Sequence, residues 1–257
     1  MLRVERSGPV MTITLDRPER RNSQAPSLWS ALAEVGEGLS PAVRVVVIRA
    51  EGPSFSAGLD RAMLTPQGAP GEPSVLALAA GAVADGGAEL EDAIARFQRG
   101  FAIWAQVPAI TIAAVQGHAI GAGFQLALAC DLRVVADDVA FAMRETSLGL
   151  VPDLAGTSPL VRSVGYARAL EICVTGRFVG AAEAVAIGLA SVAVPRQDLD
   201  AAARDLADAI LQAPQAAVRE LKPLLRNAID ASRTDQLRAE RKAQARLLAA
   251  MVAGSGK

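Results

Sequence analysis

Two glycine-rich turns hold the residues whose types and spacing most clearly suggest chemistry. They cover residues 54–60 (SFSAGLD) and 117–123 (GHAIGAG), and each follows a β-branched segment. Glycine permits positive φ and lets the backbone approach a ligand closely. The second turn opens into a predicted helix, whose first amides lack intrahelical acceptors and suit a developing anion. Two such amides aimed at one point would form an oxyanion hole. For either turn taken alone, an ordinary tight turn between strand and helix is the favoured interpretation.

Nucleotide binding fits the second turn poorly. Residues 121–126 (GAGFQL) lack the third glycine of a dinucleotide-binding turn. No acid ends the next strand about 20 residues later, because Asp137 and Asp138 lie too close. The sequence also has no P-loop. We therefore expect neither NAD binding nor ATP or GTP hydrolysis.

Metal and nucleophile chemistry has little support from residue types. The single histidine, His118, and two distant cysteines, Cys130 and Cys173, do not form a zinc pattern, so we expect no metal. The cysteines are interpreted as buried, reduced thiols. No serine has a histidine near it in sequence, which gives a serine hydrolase only weak support.

The elements that must position the turns alternate between strand and helix. Alternation of this kind is typical of βαβ units and a largely parallel sheet. Residues beyond 156 are predicted to be mostly helical. The predicted strands are 10–15, 43–48, 108–115 and 132–135, and the predicted helices are 27–37, 89–105, 124–130, 198–213, 215–229 and 234–251.

Length and composition bound the domain organisation. A chain of 257 residues, 51% of them hydrophobic, allows one large core with a smaller appendage. We predict an α/β core over residues 1–195 and a helical region over 196–257. Residues 65–88, rich in Gly, Pro and Ala, are interpreted as a flexible wall or lid.

Charge and hydropathy narrow the possible partners and location. The net charge is −1, without a basic cluster, so nucleic-acid binding is not expected. No apolar stretch reaches the roughly 20 residues of a membrane span. The first nine residues lack the apolar run of a signal peptide. The sequence therefore predicts a cytoplasmic protein.

Several motifs together resemble the crotonase (enoyl-CoA hydratase/isomerase) superfamily. Residues 55–60 (FSAGLD) resemble its F-x-A-G-x-D signature, and residues 113–123 (AAVQGHAIGAG) resemble its second signature. Each motif alone is weak, whereas their order and spacing are specific and span nearly the whole chain. The remaining matches are 16–22 (DRPERRN), Cys130-Asp131, Phe141, Glu145, 149–152 (GLVP), 181–184 (AAEA) and Gly188-Leu189.

The resemblance implies a fold and an assembly. The expected fold is α/β, a spiral of ββα turns around two roughly perpendicular sheets, with a helical C-terminal trimerisation region. The expected assembly is a homotrimer or a hexamer built as a dimer of trimers. The implied oxyanion donors are the backbone amides of Leu59 and Ala122. In this turn of the family His118 is read as structural or peripheral.

The resemblance also implies an acyl-CoA substrate, with coenzyme A as part of the substrate and no other cofactor. Arg20 or Arg21 could meet the CoA phosphates, although a solvated basic turn is an equal interpretation. Lys222 resembles a lysine that reaches CoA in some relatives, and a surface helix lysine is the alternative. The other expected binding residues are Ala57, Gly58, Asp60, Gly121 and Gly123.

Three side chains decide which chemistry the resemblance implies. Hydratases of the family carry carboxylates at the positions of Gln125 and Glu145, and an amide at position 125 cannot exchange a proton near neutral pH. Glu145 beside an apolar acyl pocket should have a raised pKa, which suits a general base. Asp153 resembles an acid of dienoyl-CoA isomerases. It is either a second proton carrier, a hydrogen-bonding partner of Glu145 or a cap for the helix from Gly156.

The leading hypothesis is a fatty-acid-metabolism enzyme that shifts a double bond between the Δ3 and Δ2 positions, with Glu145 as proton shuttle. The first alternative is a hydratase in which Glu145 works alone and Gln125 orients water. The second alternative is an acyl-CoA binding protein without catalysis.

Overall fold

A computed structural model describes residues 2–72, 74–82 and 87–254. The chain separates into two compact units, residues 1–207 and 208–257. The first unit is mixed α/β, which confirms the predicted fold class, and the second is helical. The domain boundary predicted after residue 195 remains a prediction.

The strands of the described residues form two sheets in the first unit. The larger has the order β1-β2-β3-β4-β6-β9, and the smaller has the order β5-β7-β8. In the larger sheet β1 is antiparallel to β2 and every other pair is parallel. Their bounds are β1 Leu2–Ser7, β2 Val10–Leu15, β3 Val45–Ala50, β4 Ile110–Val115, β5 His118–Ile120, β6 Leu132–Ala136, β7 Ala140–Ala142, β8 Val179–Gly180 and β9 Val192–Val194.

Helices connect the parallel strands, as parallel pairing requires. Those of the first unit are α1 Pro26–Glu37, α2 Val75–Ala82, α3 Ala88–Gln106, α4 Ala122–Ala129, α5 Thr157–Val164, α6 Tyr166–Thr175 and α7 Ala181–Ala186. Three further helices follow towards the C-terminus: α8 Leu199–Gln212, in which the first unit ends, and α9 Gln215–Asn227 and α10 Arg233–Gly254 in the second unit.

Aliphatic side chains from the central strands fill the core. β3 lies between β2 and β4 in the sheet, and Val45, Val46 and Ile48 are fully buried although successive side chains point to opposite faces, so both faces of the strand are covered. Phe124 of α4 packs on Phe141 of β7 with ring centroids 4.8 Å apart. Each fully buried side chain of this size stabilises the fold by roughly 1.5–3 kcal/mol. The core therefore fixes β3, β4 and α4, the elements that carry the two glycine turns.

The predicted elements are present, whereas the short strands β5, β7, β8 and β9 were not predicted. The sequence analysis missed β1, an exposed edge strand with few apolar residues that is paired through a hairpin with β2. The region 65–88 is less irregular than expected, because α2 lies within it. Residues 73 and 83–86 of that predicted lid lie outside the described residues. Among the described helices, none combines the length and apolar character needed to cross a membrane.

Candidate active site

The two glycine-rich turns lie side by side. Ser56 and Ala119 form an isolated parallel bridge between them. The Ser56 amide donates to the His118 carbonyl over 2.9 Å, and the Ile120 amide donates to the Ser56 carbonyl over 3.0 Å. The backbone of one turn therefore sets the position of the other.

Gly58 brings the first turn up to the start of α4. Its φ is +84°, a conformation that other residues rarely adopt. A methyl group in place of its hydrogen would lie 2.5 Å from the Ile120 carbonyl oxygen and 3.6 Å from the Ala122 nitrogen. Only glycine allows this approach, so the Gly58-Leu59 segment lies next to the first amide of α4.

The amides of Leu59 and Ala122 are available as donors. Ala122 is the first residue of α4, where helical geometry supplies no acceptor. Within the described part of the chain, no oxygen accepts a hydrogen bond from either amide. The predicted pair is thus brought together, and it can bind an oxyanion at the positive end of a helix.

A buried chain of polar side chains supports the first turn. Ser56 Oγ accepts hydrogen bonds from the Gly58 amide and from Gln24 Nε2, each over 3.1 Å. It donates to the Asn22 carbonyl over 2.7 Å. Trp29 Nε1 completes the chain by donating to Gln24 Oε1 over 2.9 Å. The sequence analysis missed Gln24 and Trp29, since nothing in their local sequence indicates a contact with a turn 30 residues away.

The carboxylate of Glu145 lies next to the second glycine turn, at the start of α4. It is the first residue of a short 3-10 helix, Glu145–Leu148, that follows β7. A methyl group on Gly121 would lie 3.2 Å from Glu145 Oε1, so the carboxylate reaches the residue that precedes the Ala122 amide. Gly121 has φ +52°, and its hydrogen leaves room for this contact. Glu145 therefore lies beside the start of α4, next to the Ala122 amide.

Burial makes Glu145 a stronger base than an exposed glutamate. Desolvation raises the pKa of Glu145, and the charge of Asp153 raises it further. Backbone hydrogen bonds and the hydrogen bond from Gln125 oppose this rise. The two carboxylate oxygens differ, because Oε1 accepts from Gln125 whereas Oε2 is buried without a hydrogen-bond partner. A proton acceptor with one unengaged oxygen is what a general base requires.

Gln125 is buried on α4, one turn beyond Ala122. Its Nε2 donates to Glu145 Oε1 over 2.7 Å. Its Oε1 accepts from the amides of Leu154 and Gly156 over 2.8 and 3.3 Å. The side-chain amide is therefore committed at both ends to protein groups.

Asp153 lies near Glu145 without bonding to it. Burial raises the pKa of the Asp153 carboxyl. The Asp153 side chain forms no cap on α5, whose N-cap residue is Gly156. Gln125 instead accepts from the amides before this helix. No hydrogen bond joins Asp153 to Glu145 among the described residues. Neither the bond to Glu145 nor the helix cap is therefore seen in the described part of the chain, and the role of second proton carrier remains a prediction.

The predicted CoA-binding residues fall into different environments. Asp60 is occupied locally, since it caps the turn at Ala62, accepts from Ser23 and pairs with Arg17 over 3.4 Å. Arg20 and Arg21 are exposed, and neither forms an ion pair within the described ranges.

Of the remaining predicted residues, Ala57 and Gly123 make contacts within the two glycine turns, and Lys222 lies in the second unit. The Ala57 amide donates to the Arg21 carbonyl over 2.8 Å, which ties the basic turn to the first glycine turn. Gly123 packs against Ser56, where a methyl group would lie 2.7 Å from the Ser56 Cβ. Lys222 is buried on α9 of the second unit.

Other reactive residue types do not form a second centre. His118 is exposed on β5 and lies edge-on to Phe178. The fold brings a serine that is distant in sequence near His118, with Ser54 Oγ 3.5 Å from Nδ1. Ser54 is buried, and no carboxylate orients the ring among the described residues, so the pair lacks the features of a nucleophilic triad. No group of three metal-ligating side chains occurs among those residues either.

Known proteins of one family match this chain over nearly its full length. A family profile described as enoyl-CoA hydratase/isomerase matches residues 5–253. A Mycobacterium tuberculosis protein assigned as an enoyl-CoA hydratase is 32% identical over 244 residues, 93% of this chain and 86% of that protein.

Solved structures give the same result. The crystal structure of a Thermobifida fusca YX protein, assigned as an enoyl-CoA hydratase, superposes with a TM-score of 0.93 and 44% identity, covering 98% of this chain and 94% of the other. A Thermobifida fusca YX structure in complex with acetoacetyl-CoA superposes with a TM-score of 0.91 and 46% identity, covering 96% and 94%.

Proposed function

This chain belongs to the enoyl-CoA hydratase/isomerase family, as its motifs predicted, and from that premise we propose that it converts acyl-CoA thioesters through a thioester enolate. The likeness to a structure that binds acetoacetyl-CoA, itself an acyl-CoA thioester, supports this substrate class. The amides of Leu59 and Ala122 would bind the thioester oxygen. Two preorganised donors that meet a developing negative charge are worth most in a site that excludes water.

The proposed reaction is a Δ3–Δ2 double-bond shift. Glu145 removes a proton from C2 of a 3-enoyl-CoA, and the electron pair of that C–H bond moves into the enolate. The enolate then takes the proton back at C4, which leaves the double bond between C2 and C3. One carboxylate is sufficient, because it gives up the proton that it received.

The observation that carries this proposal is the unpartnered, buried Oε2 of Glu145 beside the first amide of α4. Desolvation raises the pKa of this carboxyl, so it both accepts and returns a proton more readily near neutral pH. Position 125 offers no second acid, since the residue is glutamine. Asp153, whose pKa is also raised by burial, is the remaining candidate for a second proton carrier.

Coenzyme A would be held by the first turns. Arg20 and Arg21 are exposed cations on the backbone segment that bonds to Ala57. Their guanidinium groups suit the phosphates of CoA. The proton transfers need only the two amides and the carboxylate, so we propose no cofactor beyond the CoA of the substrate.

Hydration of a 2-enoyl-CoA is the second candidate. The assignment of similar proteins as hydratases favours it. The contacts of Gln125 weigh against it, because Oε1 of this residue already accepts two backbone hydrogen bonds and is not free to orient a water molecule. A protein that binds acyl-CoA without catalysis is disfavoured, because Glu145 is desolvated and is held by Gln125 as a catalytic base would be.

Product analysis separates these candidates. Purified protein is incubated with a 3-enoyl-CoA and, separately, with a 2-enoyl-CoA, and the products are separated by chromatography. The proposal expects the 2-enoyl isomer from the first substrate and little 3-hydroxyacyl-CoA from the second. Rapid formation of 3-hydroxyacyl-CoA would establish the hydratase instead. Tight binding of both esters without turnover would leave a binding protein.

A further inference from the structure

Gln125 contacts both the base and the loop behind it. Gln125 and Ala122 are three residues apart on α4, so both side chains lie on the same face of the helix. From this position the side chain bridges two segments, the 3-10 helix that begins at Glu145 and the backbone of Leu154 to Gly156. It is 1% exposed, so water does not compete for these contacts.

The two backbone donors fix which way the amide of Gln125 points. The amides of Leu154 and Gly156 converge on one end of the side chain, and only the oxygen can accept from them. The NH₂ group must then face Glu145 Oε1, which accepts over 2.7 Å. A flipped amide would set an NH₂ group against two N–H groups and an oxygen against a carboxylate. The loop therefore determines that Gln125 acts as a donor towards Glu145.

This arrangement makes the two oxygens of Glu145 unequal. Oε1 is held by Gln125, whereas Oε2 is buried and has no partner. We infer that Gln125 is a positioning residue that holds Glu145 by Oε1 and thereby assigns proton transfer to Oε2. The inference rests on the proposed function for the transfer itself. In that step the C2–H bond breaks, its electron pair enters the enolate, and the proton forms a bond to Oε2.

The charges around Glu145 explain why this hydrogen bond matters. Asp153 is the neighbouring carboxylate, and its charge opposes ionisation of Glu145. The Cys173 thiol is close enough for Glu145 to raise its pKa. The Arg144 guanidinium is directed elsewhere, since it donates to the Gly176 carbonyl and lies over the Phe178 ring. Gln125 is therefore the side chain that stabilises the carboxylate form of Glu145 against burial.

Gln125→Glu isolates the donor function. One carboxylate oxygen at position 125 can still accept from Leu154 and Gly156, so the loop keeps its support. The other oxygen would face Glu145 Oε1 without a hydrogen, and the pair would have to share one proton. Gln125→Ala removes both functions, and Gln106→Ala, at an exposed glutamine of α3, is the matched control.

The first readout is titration of the Glu145 carboxyl by carbon-detected NMR in the substrate-free protein. We expect the midpoint to rise by roughly one pH unit or more in Gln125→Glu. It should rise in Gln125→Ala as well, while Gln106→Ala leaves it unchanged. A midpoint unchanged in both Gln125 variants, with the fold intact by circular dichroism, would overturn the inference. Because no substrate is present, this result is independent of the proposed reaction.

The second readout is the pH profile of kcat/KM with a 3-enoyl-CoA, which reports the ionisation of the free enzyme. The acid limb should move upward together with the NMR midpoint in Gln125→Glu. In Gln125→Ala, kcat should fall by roughly 10²-fold, as expected for a misplaced catalytic group. An acid limb that stays in place while the NMR midpoint moves would overturn the assignment of transfer to Oε2. Failure of the proposed function would instead appear as turnover that persists in Glu145→Gln.

Discussion

At position 145 the protein keeps a carboxylate where burial disfavours its charge. Desolvation and the nearby Asp153 raise the pKa of Glu145 above its ordinary value of 4.5. A raised folded-state pKa means that the folded protein binds this proton more tightly than the unfolded chain does. The proton on Glu145 therefore stabilises the folded protein fully at pH values below the pKa of Glu145 in the unfolded chain. This stabilisation is lost as the pH rises through the pKa of Glu145 in the folded protein.

Glu145→Gln should therefore stabilise the protein at neutral pH, because the variant has no charge to bury and can still accept from Gln125. We expect a gain of about 1 kcal/mol, which corresponds to roughly 2–4 °C in Tm for a chain of this size. The gain should shrink as pH falls towards the ordinary glutamate pKa. Thermal melts at a series of pH values measure it, with the exposed Glu34→Gln as control. A variant less stable than the parent at neutral pH would contradict the desolvation of Glu145.

At the scale of elements, the site depends on how closely the first turn approaches α4. Gly58→Ala combines backbone strain with a methyl group 2.5 Å from the Ile120 carbonyl oxygen. Gly8→Ala, in the β1–β2 hairpin, is the matched control, because Gly8 has φ +59° but open space around it. We expect Gly8→Ala to cost roughly 1 kcal/mol of unfolding free energy and to leave turnover intact. Gly58→Ala should cost more and should abolish turnover.

Denaturant unfolding and steady-state kinetics on both variants separate the two effects. Equal losses of stability and unchanged kcat in the two variants would show that the contact between the turns does not matter.

The hydrogen bonds of Ser56 and Gln24 that support the same turn lead to a second prediction at this scale. Ser56→Ala removes the acceptor of the Gly58 amide and of Gln24 Nε2, both buried. Leaving such donors without a partner costs roughly 1–3 kcal/mol of stability. kcat should fall, by less than the roughly 10²–10³-fold that loss of an oxyanion donor costs. KM should change little, because Ser56 is fully buried and its hydroxyl bonds to protein groups. The same kinetics on Ser30→Ala, at an exposed serine, are the control. A raised KM with unchanged kcat in Ser56→Ala would contradict the prediction, because these polar side chains would then support only CoA binding.

The sequence predicted what local patterns encode and missed what depends on long-range contacts. The segment 124–130 was predicted to be a helix from its apolar run, and α4 spans Ala122–Ala129. The fold class and the family also followed from motif order. Gln24 and Trp29 were missed because their contacts join distant segments, and the cap that Asp60 forms on a local turn was not predicted either. The donor role of Gln125 needed the position of the Leu154–Gly156 backbone, which no spacing reveals.

At the scale of the whole molecule, the second unit presents large apolar side chains that a lone chain leaves in water. Leu225 of α9 is 63% exposed and Met251 of α10 is 68% exposed. Exposed apolar surface of this kind marks an association surface. We expect three or six copies of the 26.5 kDa chain. Light scattering after size exclusion measures the mass, and Leu225→Glu should lower it. A monomeric parent protein would contradict the expected assembly.

Exchange of the C2 protons of an acyl-CoA thioester with heavy water measures enolate formation directly, even when no product forms. A saturated acyl-CoA is incubated with the protein in deuterium oxide, and deuterium at C2 is followed by NMR or mass spectrometry. We predict exchange that Glu145→Gln slows by roughly 10²–10⁴-fold and that Glu34→Gln leaves unchanged. Exchange that persists in Glu145→Gln would contradict the assignment of Glu145 as the base, and absence of exchange in the parent protein would contradict the enolate itself.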